Sequence, residues 1–122
     1  MSEKSAAKPA AAAVLLAGLA ACASMPPPNE QVGAARAMVS QAQPVAAKDA
    51  PLELHSAQTK LAGAEEAMQR GDYVRARIFA EQAEVDAKYA WTVAENARVQ
   101  RAAAEVDQGI KTLRDELERR QK

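Results

Sequence analysis

The sequence predicts an all-α protein, a helical hairpin or three-helix bundle with a long C-terminal helix. Three observations predict it. Apolar residues recur at alternating steps of three and four in successive stretches, which is the period of a helix face. Alanine, the strongest helix former, supplies 31 of the 122 residues. From Tyr73 onward there is no proline, and Gly109 is the one glycine. Composition also narrows the function. Sixteen Lys and Arg balance sixteen Asp and Glu, so no basic excess argues for nucleic acid or an anionic membrane surface. The aromatics are Tyr73, Phe79, Tyr89 and Trp91 alone, so the apolar content is largely methyl groups and a roomy apolar pocket is not expected. One cysteine excludes an intramolecular disulfide, and one histidine argues against a histidine-based metal or catalytic cluster.

The N-terminal segment carries a targeting pattern. A weakly basic start with Lys4 and Lys8 leads into an unbroken apolar run from Ala10 to Ala21. Twelve such residues are too few to cross a bilayer, which takes about 20, but suit the apolar region of an export signal. Leu19-Ala20-Ala21-Cys22 closes the run and resembles the bacterial lipobox, an aliphatic residue, two small residues and a cysteine. The resemblance implies that residues 1–21 are a lipoprotein signal peptide and that Cys22 becomes the lipidated N-terminus, its thiolate taking a diacylglyceryl group. An ordinary secretory signal with an inert cysteine is the alternative. Ala23 is not the aspartate that retains some such lipoproteins in the inner membrane, so the expected location is the outer membrane, periplasmic face, held by the lipid anchor. No cofactor is expected beyond that covalent lipid.

Residues 22–28 form a tether, because Pro26-Pro27-Pro28 favours an extended polyproline segment. Asn29 is the expected N-cap of a first helix over about 29–43, ending before Pro44, with an apolar face of Ala35, Met38, Val39 and Ala42. A loop over residues 44–48 leads to Asp49 as cap and Pro51 in the first turn of a second helix, about 50–70, whose apolar set is Leu54, Ala57, Leu61, Ala64 and Met68. Gly71 ends it and Asp72 caps a third helix over about 72–120, so the second and third helices form an antiparallel hairpin. The helical domain is thus residues 29–122.

The third helix carries two stripes. Tyr73, Ala76, Ala80, Ala83, Ala87, Ala90, Ala94 and Ala97 form a heptad seam of small residues that lets another helix come close. A second seam repeats every seven residues at Ile78, Val85, Thr92, Val99, Val106 and Leu113, with Gln82, Tyr89, Asn96, Ala103, Ile110 and Leu117 four residues after each. At 100° per residue the two seams lie roughly 150° apart. In a three-helix bundle the third helix touches two neighbours, so over residues 73–97 both stripes are expected to be covered within the chain. Beyond that, Val99, Val106, Ile110, Leu113 and Leu117 outrun the shorter helices. They are the candidate interaction seam, for a second copy of the chain or another periplasmic helix, with Asn96 fixing register. Fraying at Gly109 is the rival.

Chemistry-bearing motifs are missing. There is no Gly-rich phosphate loop, no GxSxG, no HExxH and no Cys or His pair at metal spacing, so no catalytic, cofactor-binding or metal residue is assigned and no small-molecule substrate is evident. Glu65-Glu66, Glu81 with Glu84, and Asp115 with Glu116 and Glu118 alternate with Lys and Arg, as solvated helix faces do. His55 has no companion, and Trp91 lies at the edge of the alanine seam, where it is expected to pack on a neighbouring helix. Lys122 resembles the lysine by which small murein lipoproteins are joined to peptidoglycan.

The stretch from Ala50 to Ala94 resembles proteobacterial lipoproteins of the domain of unknown function 4398 family. The residues that carry the likeness are the Pro51-led helix, Lys60-Leu61-Ala62-Gly63-Ala64-Glu65-Glu66-Ala67-Met68, the Gly71-Asp72-Tyr73 turn, and Ala80-Glu81-Gln82-Ala83 with Asp86-Ala87. The resemblance implies a small helical envelope lipoprotein and no reaction. The function expected is therefore structural or interactive and non-enzymatic. The alternatives are a binding module for an acyl chain or small amphiphile, and a peptidoglycan tether through Lys122.

Overall fold

The computed structural model describes residues 25–122 and contains three helices: α1 (Asn29–Asp49), α2 (Pro51–Gln69) and α3 (Tyr73–Arg120). The fold is the expected all-α three-helix arrangement with a long C-terminal helix. The expected signal segment, with Leu19, Ala20, Ala21 and Cys22, lies outside the described residues. Met25, Pro26 and Pro27 are exposed and non-helical, and Pro28 is buried at the start of α1.

Both α1 and α2 pack on α3, and they reach it through one seam. Ala76, Ala80, Ala83, Ala87, Ala90 and Ala94 are its buried residues. They meet Val32, Ala35 and Ala64 near the start of α3, and Val39, Ala42, Ala46, Ala50, Leu54 and Ala57 further along. Among the described residues the core of α1, α2 and α3 is alanine apart from Val32, Val39 and Leu54, so the helices approach closely and the core is thin. Val32 lies with Ala80, whereas Ala46 lies with Ala94, so α1 runs parallel to α3 and α2 runs antiparallel to both. The N-terminal end of α1 and the α2–α3 turn therefore share one end of the bundle, and the C-terminal end of α3 points the other way.

The first connection differs from the expectation. α1 does not stop before Pro44 but continues through it to Asp49. Proline in a helix interior removes one backbone bond and costs about 3 kcal/mol. Here Pro44 and Ser40, whose carbonyl loses its donor, are both exposed, so water can reach that carbonyl. Ala42 and Ala46 are buried on either side and hold the helix together across the gap. The break comes at Ala50, because a residue before proline is pushed out of the helical region, and Ala50 adopts φ −147° and ψ 54°. Its N–H still closes α1 on the Ala46 carbonyl, and its own carbonyl accepts the N–H of Leu54. Pro51 then opens α2 with a ring that suits the first turn. Asp49 is accordingly the last residue of α1 and not a cap. Asn29 is likewise the first residue of α1 and not its cap, which is Pro28.

The second connection follows the sequence signals. Gly71 adopts φ +73°, a left-handed conformation that costs other residues energy, and its N–H bonds back to the Met68 carbonyl. Asp72 caps α3 by accepting the Arg75 backbone N–H at 3.1 Å. Gly63 matters for a different reason: a Cβ there would stand 3.2 Å from the Phe79 ring, so its absence lets that ring lie on α2.

The close approach predicts a size limit. Ala87→Leu should lower unfolding free energy by about 1–3 kcal/mol in denaturant titrations, because the seam has no room for the added carbons. Val99→Ala, on the other stripe, should change it by less than about 0.5 kcal/mol.

Candidate interaction surface

The second stripe is uncovered along its whole length. Ile78, Val85, Tyr89, Val99, Val106, Ile110, Leu113 and Leu117 are each between 48% and 64% exposed. The expectation that neighbours within the chain cover both stripes over residues 73–97 is therefore corrected: α1 and α2 share the alanine seam, and the stripe about 150° away faces solvent from Ile78 onward. The expected seam residues Val99, Val106, Ile110, Leu113 and Leu117 do line one exposed face. Ile78, Val85 and Tyr89 continue it over the bundle itself, giving a strip about 59 Å long. From Arg98 to the end every residue is exposed, so α3 runs on as a lone helix for about 28 Å past Arg101.

Three ion pairs hold the bundle under this surface, one for each pair of helices. Arg36 of α1 donates to Glu65 of α2, with Nε 3.0 Å from Oε1. Lys60 and Ser56 of α2 both donate to Oδ2 of Asp86 on α3, at 2.6 and 2.7 Å. Arg101 of α3 takes both oxygens of Asp49 of α1, at 2.6 and 2.7 Å. Asp49 sits at a helix C-terminus, where the dipole disfavours an anion, and Arg101 supplies the opposing charge. That hydrogen-bonded guanidinium holds the Asp49 carboxyl below the usual carboxylate range, and the Asp49 carboxylate in turn raises Arg101 above its own. At Asp86 burial pushes the pKa up, but the bonds from Lys60 and Ser56 outweigh it, and the net direction is down.

The sequence signal for these residues was a missing local mate. Arg36, Asp49, Lys60, Glu65 and Asp86 have no opposite charge three or four residues away on their own helix. Several carboxylates of the bundle that do have one use it: Glu66 pairs with Arg70, Glu81 with Arg77, and Glu84 with Lys88. His55 is exposed and its backbone carbonyl accepts the Thr59 hydroxyl; Trp91 remains 41% exposed. Among the described residues no group of three or more His, Cys, Asp or Glu could hold a metal ion, and no helix is long and apolar enough to cross a membrane. Beside the seam, Leu52, Glu53, Ser56, Asp86 and Tyr89 line an open groove of about 310 Å³. Leu52 is 81% exposed, which widens the apolar strip toward α2.

A family model described as Domain of unknown function (DUF4398) matches residues 30–106. No curated protein and no solved structure matches the chain.

The two depressed carboxyls set an acid limb for stability. Both have folded values below the ordinary 3.8, so their stabilisation is complete above that value and is lost as pH falls through the folded values. Thermal melts should therefore fall between about pH 5 and about pH 2. The Asp49→Asn, Asp86→Asn double variant should melt lower at neutral pH and lose less on acidification.

Proposed function

The chain belongs to the DUF4398 family, and we propose that it is a lipid-anchored protein of the outer membrane, facing the periplasm, with a structural or interaction role and no reaction to catalyse. One observation carries the interaction role. A 48-residue helix leaves an apolar heptad stripe bare from Ile78 to Leu117, and contiguous apolar strips of this kind mark contact surfaces. The anchor is supported by the lipobox-like Leu19-Ala20-Ala21-Cys22 and the prolines that follow.

An amphiphile-binding role has less support. The interior is closed by alanine, and the Leu52–Tyr89 groove is an open surface feature with two carboxylates, Glu53 and Asp86, on its wall.

Two measurements in cells test the reading. Cys22→Ala should move the protein from the outer-membrane fraction to the soluble periplasmic fraction, and retention in the membrane would contradict the anchor. A photocrosslinker at Ala103, on the stripe itself, should yield protein adducts, and Val106→Asp with Leu113→Asp should remove most of them while changing unfolding free energy by less than about 0.5 kcal/mol. Recovery of lipid alone would favour the amphiphile reading.

A further inference from the structure

We propose that the occupant of the bare stripe is a second copy of this chain, its α3 antiparallel to the first and in the register that places the two Arg101 residues at the centre. The proposal rests on the stripe being the interaction surface and names its partner. In heptad terms Gln82, Tyr89, Asn96, Ala103, Ile110 and Leu117 are the a positions, and Ile78, Val85, Thr92, Val99, Val106 and Leu113 are the d positions.

Charge on the flanks selects the arrangement. In an antiparallel pair e positions face e and g positions face g, and these contacts set orientation. With Arg101 at the centre, Asp86 faces Arg114 of the partner subunit and Lys88 faces Glu116 of the partner subunit, and the twofold axis repeats both pairs. No like charges meet. Sliding by one heptad one way sets Glu95 against Glu116 of the partner subunit. Sliding the other way sets Asp86 against Asp107 of the partner subunit and Glu81 against Glu116 of the partner subunit. A parallel pair in register gains no ion pair and brings Glu81 against Asp86 of the partner subunit. It also stacks five β-branched residues, Ile78, Val85, Thr92, Val99 and Val106, at d, which two parallel strands disfavour.

Each of these groups has room for a further bond. Both bonds to Asp86 fall on Oδ2, so Oδ1 remains for a further donor. Arg114 and Glu116 make no ion pair among the described residues, and Lys88, exposed and paired with Glu84 of its own helix, is an ammonium with further protons to donate. Length fits as well. In this register the overhang over residues 103–120 of one copy lies along residues 82–99 of the other, the part of the stripe that sits over the bundle. Leu117 then meets Val85, Leu113 meets Tyr89 beside the exposed Leu52, and Ile110 meets Thr92. Each α3 becomes enclosed between its own α1 and α2 and the other copy's overhang, and the two tethers leave from opposite ends of the pair.

Single-cysteine crosslinking of the purified full chain, with Cys22→Ala so that the introduced thiol stands alone, reads the register directly and does not depend on where the protein resides. With a short thiol crosslinker, a mixture of Thr92→Cys and Ile110→Cys proteins should give a covalent dimer, and neither alone should. Lys88→Glu should weaken the dimer about tenfold in sedimentation, and adding Glu116→Lys should restore it. A chain that stays monomeric at high concentration would overturn the proposal. So would dimers from Ile110→Cys alone, the mark of parallel pairing, or a Lys88→Glu effect that Glu116→Lys does not reverse.

Discussion

The close approach of helices at alanine is the constraint from which the rest of the structure follows. A helix that packs through methyl groups can take two neighbours on one face, since neither needs the depth that a leucine or phenylalanine layer would occupy. Ala80, Ala87 and Ala94 lie 140° around the helix from the a positions, and Ala76, Ala83 and Ala90 lie 100° around, so both sets serve the α1–α2 side. Because one seam is enough for the bundle, the apolar residues on the opposite face have no role within the chain. The thin core and the bare stripe are thus two results of the same packing.

Such a core buries little area for each residue, and the bundle compensates with polar ties. One ion pair spans each pair of helices, and the Asp49–Arg101 pair fastens the α1–α2 corner to α3 at the point where that helix leaves the bundle. Past that point no ion pair forms among the described residues and α3 depends on helix propensity alone, a weak source of stability for an isolated helix of that length. A partner along the overhang would supply the burial that the chain lacks there.

The alanine seam was legible in the sequence residue by residue, because its period is set by helix geometry alone. The turn at Gly71 and Asp72 was legible for the same kind of reason: both residues act locally. Pro44 misled, since its effect depends on which way residue 40 faces and on whether Ala42 and Ala46 are held by another helix. The covering of the second stripe was also misjudged, from the assumption that two neighbours need two faces. That Val99, Val106, Ile110, Leu113 and Leu117 share an exposed face was readable from spacing; that Ile78, Val85 and Tyr89 join them depended on tertiary packing. The inter-helix ion pairs were half-legible, as charges without a mate on their own helix, but their partners required the fold.

Amide hydrogen exchange along α3 of the full chain, followed across a range of protein concentrations, tests the central claim most directly. If the bare stripe is a contact surface between copies, amides beyond Arg101 gain protection as concentration rises, until they approach those of residues 76–94. Exchange beyond Ala102 at the rate of a lone fraying helix at every concentration would contradict it.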